Sequence, residues 1–205
     1  MTALALALLL AGPAGDASPV LKSLEASGRQ LRTLQATFSE TKVNVILAEK
    51  TDTKGRVLLQ VPGRLRWDYL APQPGAMVIK DGRFARYVPQ SKQVFRGAAK
   101  GEADLLVGFG PGTSDLGKKY EVTLLADETV SGAAAHVLDL KPRQPGLFSA
   151  IRLWIDKKRA VPVQTRLTEP TGDHTTIRFE SVVVNGKLPA DAFDLKLPKD
   201  VVEVQ

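Results

Sequence analysis

The sequence contains no cysteine among its 205 residues. This absence excludes disulfides, thiolate metal sites, cysteine nucleophiles and anchors attached through a lipidated cysteine. Histidine is nearly as scarce, since only His136 and His174 occur, and neither has a partner at the spacing of metal ligands. Sequence alone leaves a Ser-His-Asp triad open, but no nucleophile elbow supports one. We therefore expect a protein that is not an enzyme and holds no metal or cofactor.

A nucleotide site is missing as well, although residues 112–118 match most of the phosphate-loop pattern. Lys119 follows, where a serine or threonine should hold magnesium. A helix should come next, because its N-terminus and the loop amides cradle the phosphates, yet residues 120–125 alternate like a strand. The motif fails in its context, and we expect no nucleotide binding.

Long apolar runs are absent apart from the first 14 residues, MTALALALLLAGPA. That run is too short to span a bilayer, and Gly12 and Ala14 occupy the two small positions that precede a signal-peptidase cut. The alternative is a buried N-terminal helix, but an uncapped run that ends in Gly-Pro-Ala-Gly fits processing better. We expect a signal peptide over residues 1–15, a single domain over residues 16–205, and a location outside the cytoplasm.

Charge is only moderately unbalanced, since 28 lysines and arginines face 22 acidic residues and give a formal net charge of +6. This charge favours anionic membranes or acidic partners, but the simpler interpretation is a solvated surface with spare lysines. The apolar fraction of 43% and the charged fraction of 24% are typical of a soluble globular protein.

The pattern that is present is a β pattern centred on residues 55–72, GRVLLQVPGRLRWDYLAP. Two alternating runs flank a break where Pro62 cannot donate to a strand ladder and Gly63 supplies backbone freedom. In the second run apolar residues alternate with charged ones, which places them on opposite faces of a strand. The apolar set is Leu65, Trp67 and Tyr69, and the charged set is Arg64, Arg66 and Asp68. Single-stranded nucleic acid is thereby disfavoured, because the arginines and the aromatic rings do not share a face.

One helix is predicted, over residues 16–35. Ser18 is placed to cap it, and Pro19 suits the first helical position. The helix needs an apolar partner surface because its leucines fall near one stripe, and the sheet is the only large one available. The stripe consists of Leu21, Leu24, Leu31 and Leu34.

From residue 36 onwards the pattern is β, and Asp81-Gly82 is a strong signal for a two-residue hairpin. The alternating strand pattern is interrupted at residues 97–116, where residues 102–109 indicate a short helix. Ten or eleven short strands make a sheet large enough to curl or close. The expected fold is mainly β, an incomplete (open) antiparallel β-barrel of about 10–11 strands. The two helices form a lid over an interior that is either packed solid or left as a cavity.

Five stretches point to a known family. They are residues 34–39 (LQATFS), 55–72, 78–82 (VIKDG), 87–89 (YVP) and 191–198 (DAFDLKLP). The most specific piece is Pro62-x-x-Leu65-x-Trp67. With these stretches the chain resembles the periplasmic outer-membrane lipoprotein carrier family, LolA, over nearly its whole length.

The resemblance implies a helical lid over a hydrophobic cavity that encloses acyl chains. It implies a periplasmic monomer that takes acylated lipoproteins from an inner-membrane ABC lipoprotein exporter towards the outer membrane, where a receptor accepts them in some members. The membrane-anchored receptor of the same pathway shares the fold but needs a lipidated cysteine. A related sensor domain of the envelope-stress pathway gives the alternative, a non-catalytic scaffold with a solid core that binds a protein partner.

Under this resemblance, large apolar side chains of the strands are candidates to line the cavity, and apolar side chains of the two helices are candidates for the lid. The lining candidates are Phe38, Leu65, Trp67, Tyr69, Phe84 and Trp154, and the lid candidates are Leu21, Leu24, Leu31, Leu105, Leu106 and Phe109. For any single lining candidate, ordinary core packing is the simpler interpretation. Whether a residue stands at an odd or an even position along its strand does not decide whether its side chain faces the cavity, because one bulge exchanges the two faces of the strand.

The chain departs from the family at one position. The family commonly carries an arginine immediately before the proline, which holds the lid shut against loop carbonyls, and this sequence has Val61 there. Either Arg64 or Arg66 latches the lid instead, or this member cycles differently.

Overall fold

The computed structural model describes residues 15–99 and 107–204, and one large sheet dominates them. Its strands are β1 (Thr33–Asn44), β2 (Glu49–Gln60), β3 (Arg64–Ala71), β4 (Gly75–Lys80), β5 (Arg83–Val88), β6 (Gln93–Ala98), β7 (Tyr120–Val130), β8 (Ala133–Pro142), β9 (Ala150–Asp156), β10 (Pro162–Thr168), β11 (His174–Val184) and β12 (Val202–Val204). Within the same residues lie helices α1 (Ser18–Gln30) and α2 (Leu116–Lys119) and the 3-10 helices Pro89–Ser91 and Gly110–Asp115.

The strands are hydrogen-bonded in the order β12-β6-β5-β4-β3-β2-β1-β11-β10-β9-β8-β7. Neighbouring strands run antiparallel, except that β12 pairs in parallel with β6. The order ends at β12 and β7, so the sheet is open and not closed into a barrel. The predicted mainly-β, open and largely antiparallel architecture is confirmed. The strand count of twelve exceeds the predicted 10–11, and β12, with three residues, is too short to show an alternating pattern.

Helix α1 begins at Ser18, two residues after the predicted start at residue 16, and Pro19 lies in its first turn. The expected cap is different, because Ser18 is the first residue of the helix and the N-cap position is taken by Ala17, which has no capping side chain. The carboxylate of Asp16 instead accepts the backbone N–H of Ser18 at 2.9 Å. One of the unpaired N–H groups at the helix N-terminus is satisfied in this way.

The C-terminus of α1 lies five residues before the predicted end at residue 35. The side chain of Asn185 accepts the backbone N–H of Arg32 at 2.7 Å and donates to the carbonyl of Gln30 at 3.1 Å. These bonds hold the chain against the end of β11, and β1 starts at Thr33. Leu31 and Leu34 therefore lie outside the helix, although both remain buried.

The two faces of the sheet carry separate hydrophobic clusters. We call the face covered by α1 the inner face, and its cluster, the inner core, contains Leu24 and Leu31 together with alternate residues of most strands. Smaller clusters surround Trp154 and Phe193. Because Trp154 lies between Leu153 and Ile155, which both belong to the inner core, alternation places its cluster on the opposite, outer face.

A second element also covers the inner face, and we call residues 107–116 the plug segment. Its side chains Val107, Phe109 and Leu116 are buried in the inner core. The plug segment lies directly against α1, since a Cβ atom at Gly28 would be 2.4 Å from Oγ1 of Thr113. The inner face is thus closed by α1 and the plug segment together.

The short helix predicted over residues 102–109 falls mostly outside the described residues, which resume at 107. The part that is described, residues 107–109, is a turn and not a helix. Gly108 has φ +90, a conformation that ends helical geometry and that glycine adopts readily. Helical turns follow only afterwards, in the 3-10 helix Gly110–Asp115 and in α2.

Candidate functional site

Aromatic rings gather at the centre of the inner face. Phe38 lies 4.6 Å from Trp67 between ring centroids, and 5.8 Å from Tyr69 in an edge-on arrangement. Phe179 packs edge-on against Trp67 at 6.3 Å and against Phe109 of the plug segment at 5.3 Å. We call these five residues the aromatic cluster. It joins three strands to the plug segment.

Strand register and one glycine bring these rings together. Phe38 of β1 stands opposite Phe179 of β11 on one side and opposite Gly55 of β2 on the other. A Cβ atom at Gly55 would lie 2.4 Å from the ring of Phe38. Because position 55 has no side chain, the ring crosses β2 and reaches Tyr69, which pairs with Gly55 from β3.

The indole of Trp67 adds one polar group to this apolar interior. Trp67 is only 1% exposed, and its Nε1 has no hydrogen-bond partner among the described residues. An unpaired buried donor costs about 1–3 kcal/mol. Such groups are uncommon in native cores.

Five of the six lining candidates lie on the inner face. Phe38, Leu65 and Trp67 are buried there, and Tyr69 and Phe84 are partly buried against the same core. Trp154 is placed elsewhere, on the outer face, where it packs with Val137 and Val163 and donates its indole N–H to Glu128 at 2.8 Å. It is therefore not brought together with the other candidates.

The lid candidates of α1 all contact the inner core, and so does Phe109. Leu24 and Leu31 are buried, although Leu31 follows the last residue of the helix. Leu21 is partly buried against the same cluster. Leu105 and Leu106 lie outside the described residues.

Val61, where the resemblance to the carrier family implies an arginine, lies at the edge of this cover. It is partly buried against the inner core, and its Cγ2 lies 3.5 Å from where a Cβ atom of Gly110 would be.

The arginine candidates for a replacement latch, Arg64 and Arg66, do not reach the plug segment. Arg66 binds Asp68 and the carbonyls of Ala192 and Asp194 on the outer face. Arg64 has the same parity on β3 as Arg66 and also points to that face. The apolar side chain of Val61 therefore takes the position next to this end of the plug segment.

A polar pocket of about 230 Å³ adjoins the aromatic cluster beyond Tyr69. Glu40, Thr53 and Arg86 line it together with Tyr69. Burial raises the pKa of Glu40 above its usual range, and Lys42 opposes this only partly. Burial and the nearby Glu40 carboxylate raise the pKa of Tyr69 to about 12, so its hydroxyl stays protonated.

Sequence reasoning missed three residues that shape this site. Phe179 sits in an alternating strand like many others, and its partner ring at Phe109 is 70 residues away in the chain. Gly28 and Gly55 carry no sequence signal for close approach, because a glycine in a helix or strand is equally read as a weak point. Only the tertiary arrangement shows what each of them contacts.

The described residues also bear on metal binding and on membrane crossing. No group of three His, Asp or Glu side chains within residues 15–99 and 107–204 is arranged to hold a metal ion. In the same part of the chain, no helix has the length and apolar character needed to cross a membrane.

Comparison with known proteins identifies a family. The family model described as "Outer membrane lipoprotein carrier protein LolA" matches residues 29–196. The outer-membrane lipoprotein carrier protein of Chromobacterium violaceum is 30% identical over 207 residues, covering 98% of this chain and 94% of that protein. The protein of the same name from Azotobacter vinelandii is 28% identical, covering 85% of this chain and 82% of its own length.

Solved structures share the fold at lower identity. MucB matches with a TM-score of 0.58 and 22% identity over 88% of this chain, which spans 63% of MucB. An uncharacterized conserved protein from Thermus thermophilus matches with a TM-score of 0.61 and 15% identity, covering 93% of this chain and 99% of that one. Mycobacterium tuberculosis lipoprotein LppX matches at 0.56 and 12% identity, covering 86% of this chain and all of its own. At these identities the matches establish the architecture alone.

Proposed function

The chain belongs to the outer membrane lipoprotein carrier family LolA, and we propose that it carries acylated lipoproteins by enclosing their acyl chains between the inner face of the sheet and its cover. It is a transport protein and not an enzyme. The observation that carries the proposal is the aromatic cluster, in which a ring of the plug segment completes an apolar interior built by three strands.

Hydrophobic burial is sufficient for cargo binding. Enclosing an acyl chain gains roughly 0.8 kcal/mol per methylene, so a chain of about sixteen carbons gains up to about 12 kcal/mol. A carrier must also release its cargo, and the cover makes this possible. When the cargo leaves, Leu24 and Phe109 fill the space, so that the empty state is also well buried.

The proposed acyl site consists of the strand residues on the inner face, and the proposed lid consists of α1 and the plug segment. Lining roles are proposed for Phe38, Leu65, Trp67, Tyr69 and Phe84, and lid roles for Leu21, Leu24, Leu31 and Phe109. Trp154 is left out because it lies on the outer face.

Members of this family act in the periplasm, and we propose the same location here, reached through a signal peptide over residues 1–15. The proposed donor of cargo is an inner-membrane ABC lipoprotein exporter. The proposed destination is the outer membrane, with or without a receptor.

Native mass spectrometry of the protein purified from a Gram-negative periplasm tests the function. We expect a population whose added mass equals that of an acylated lipoprotein and which dissociates into the apo protein and the lipoprotein. A clean apo mass, together with no uptake of a fluorescent fatty-acid probe, would contradict the carrier function. That result would favour the alternative, an envelope scaffold domain that binds a protein partner.

A further inference from the structure

We propose that the polar pocket beside the aromatic cluster binds the polar head of the acylated cargo, the ester and amide groups at which the acyl chains join the lipoprotein. This inference rests on the proposed carrier function. It adds a second subsite of different chemistry, formed by Glu40, Tyr69 and Arg86.

Register places the pocket directly beyond the apolar interior. On β1 the inner-face residue that follows Phe38 is Glu40, which stands opposite Thr53 of β2. On β3 the inner-face series that begins with Leu65 and Trp67 ends at Tyr69. The inner face thus changes from apolar to polar within one step of two residues along each strand. A ligand that is apolar at one end and polar at the other fits this change.

Arg86 reaches the same pocket from β5. It stands opposite Met77 of β4, which in turn stands opposite Trp67 of β3, so alternation places the arginine on the inner face. Phe84 and Val88, two residues before and two after Arg86 on β5, face the same side of the sheet. Arg86 is exposed, so it places a cation at the open rim of this pocket.

The polar groups of the pocket act on one another electrostatically, since both Glu40 and Arg86 affect the pKa of Tyr69, but they form no hydrogen bonds within the described part of the chain. Neither the carboxylate of Glu40, the hydroxyl of Tyr69 nor the guanidinium of Arg86 forms a hydrogen bond or an ion pair with another described residue. Glu40 is half-buried, and burying a carboxylate without a partner is unfavourable. The carboxylate, the hydroxyl and the guanidinium can therefore all form hydrogen bonds with a ligand.

Their chemistry matches a lipoprotein head. The hydroxyl of Tyr69 and the guanidinium of Arg86 donate hydrogen bonds, which suit ester and amide carbonyls. The carboxylate of Glu40 accepts, which suits the first peptide N–H of the cargo. The volume of about 230 Å³ lies below the roughly 300–1,000 Å³ of pockets that enclose a whole ligand. The pocket therefore suits a head group, while the acyl chains need the interior.

The test compares two ligands that share apolar character but differ in the head. One is a synthetic triacylated lipopeptide, a diacylglyceryl cysteine with an amide-linked acyl chain and a short peptide. The other is N-phenylnaphthylamine, a fluorescent apolar probe without ester or amide groups. The variants are Tyr69→Phe and Arg86→Gln. The control is Arg83→Gln, which removes the same charge from the same strand on the opposite face.

We expect each pocket variant to lower the affinity for the lipopeptide, relative to the affinity for the probe, by about five- to tenfold, the loss of roughly one hydrogen bond. Arg83→Gln should leave this ratio unchanged. A ratio that stays constant in both pocket variants, or falls equally in Arg83→Gln, would overturn the head-group site while leaving the carrier function intact. Failure of the wild-type protein to bind either ligand would instead overturn the carrier function itself.

Discussion

Phe109 of the plug segment packs edge-on against Phe179 of β11, with ring centroids 5.3 Å apart and ring planes at 82°. This contact joins the cover to the wall of the interior. Aromatic pairs of this geometry contribute about 0.5–1.5 kcal/mol beyond the area they bury. In the proposed mechanism, an acyl chain that enters the interior replaces this contact.

Replacing Phe109 by alanine should tighten ligand binding. Phe109 is buried in the inner core, and in the proposed mechanism it leaves this core when cargo enters, so its removal should destabilise the empty state and not the loaded one. Large-to-small changes of this kind cost about 3–5 kcal/mol, and every 1.4 kcal/mol lost from the closed form alone gives a tenfold gain in affinity. We expect the Kd for N-phenylnaphthylamine to fall at least about tenfold.

The matched control for that variant is Phe193→Ala, which removes a ring buried on the outer face. Both variants should lower the melting temperature, but only Phe109→Ala should change the Kd. An unchanged Kd in Phe109→Ala, or an equal change in both, would show that Phe109 does not compete with the ligand.

Replacing Gly28 by alanine should separate α1 from the plug segment. The added Cβ would lie 2.4 Å from Oγ1 of Thr113 and 2.5 Å from the carbonyl oxygen of Gly110, so the backbone of the plug segment must move. Helix propensity alone predicts a gain of up to about 1 kcal/mol for this change, whereas overpacking costs about 1–3 kcal/mol. We expect a lower melting temperature and faster uptake of the apolar probe.

Gly117→Ala is the comparison for Gly28→Ala, because a Cβ atom at Gly117 meets nothing within 4 Å. It should leave the melting temperature unchanged or raise it slightly. If Gly28→Ala were also neutral or stabilising, the contact between α1 and the plug segment would be looser than the structure shows.

Replacing Glu40 by glutamine should stabilise the protein at neutral pH. Burial raises the pKa of Glu40 in the folded state above the reference value of 4.5, so folding favours the protonated acid. The free energy of unfolding therefore falls as the pH rises from about 4.5 through the folded-state pKa. We expect Glu40→Gln to be more stable than the wild type at pH 7 and equally stable at pH 3.5 in chemical denaturation. A variant that is less stable at pH 7 would mean that the carboxylate has a partner.

Restoring the family's arginine with Val61→Arg should hold the cover more tightly. Val61 is partly buried against the inner core, and its Cγ2 lies 3.5 Å from where a Cβ atom of Gly110 would be, so its side chain is next to the plug segment. A guanidinium at this position brings donors to backbone carbonyls of the plug segment, and such bonds stabilise the closed form. We expect weaker binding of the apolar probe, by several-fold, at equal or higher melting temperature. Stronger binding would show that an arginine here does not act as a latch in this chain.

The regular parts of the fold follow from local patterns. Asp81 and Gly82 both adopt positive φ, as the predicted two-residue hairpin requires. The alternation of Leu65, Trp67 and Tyr69 correctly separates an apolar face from a charged one. These features depend on neighbours in the sequence, which a single sequence displays.

The end of α1 and the site itself depend on distant contacts. Leu31 and Leu34 suit a helix stripe by spacing, and the bonds of Asn185 decide that the helix has already ended. Trp154 resembles the other lining candidates in its strand, but neither parity nor composition tells which face of the sheet a helix will cover. The polar pocket assembles residues of β1, β2, β3 and β5, so no local motif could predict it.

The central claim, that acyl chains occupy the inner face, is tested most directly with the two tryptophans of the chain. Trp67 lies in the inner core and Trp154 in the outer cluster, so each reports on one face. The measurement is quenching of tryptophan fluorescence by stearic acid with a dibrominated acyl chain, since bromine quenches only on contact. We expect strong quenching in Trp154→Phe, which retains Trp67, and none in Trp67→Phe, which retains Trp154. Quenching of Trp154 alone, or of neither residue at saturating ligand, would contradict an acyl site beneath α1 and the plug segment.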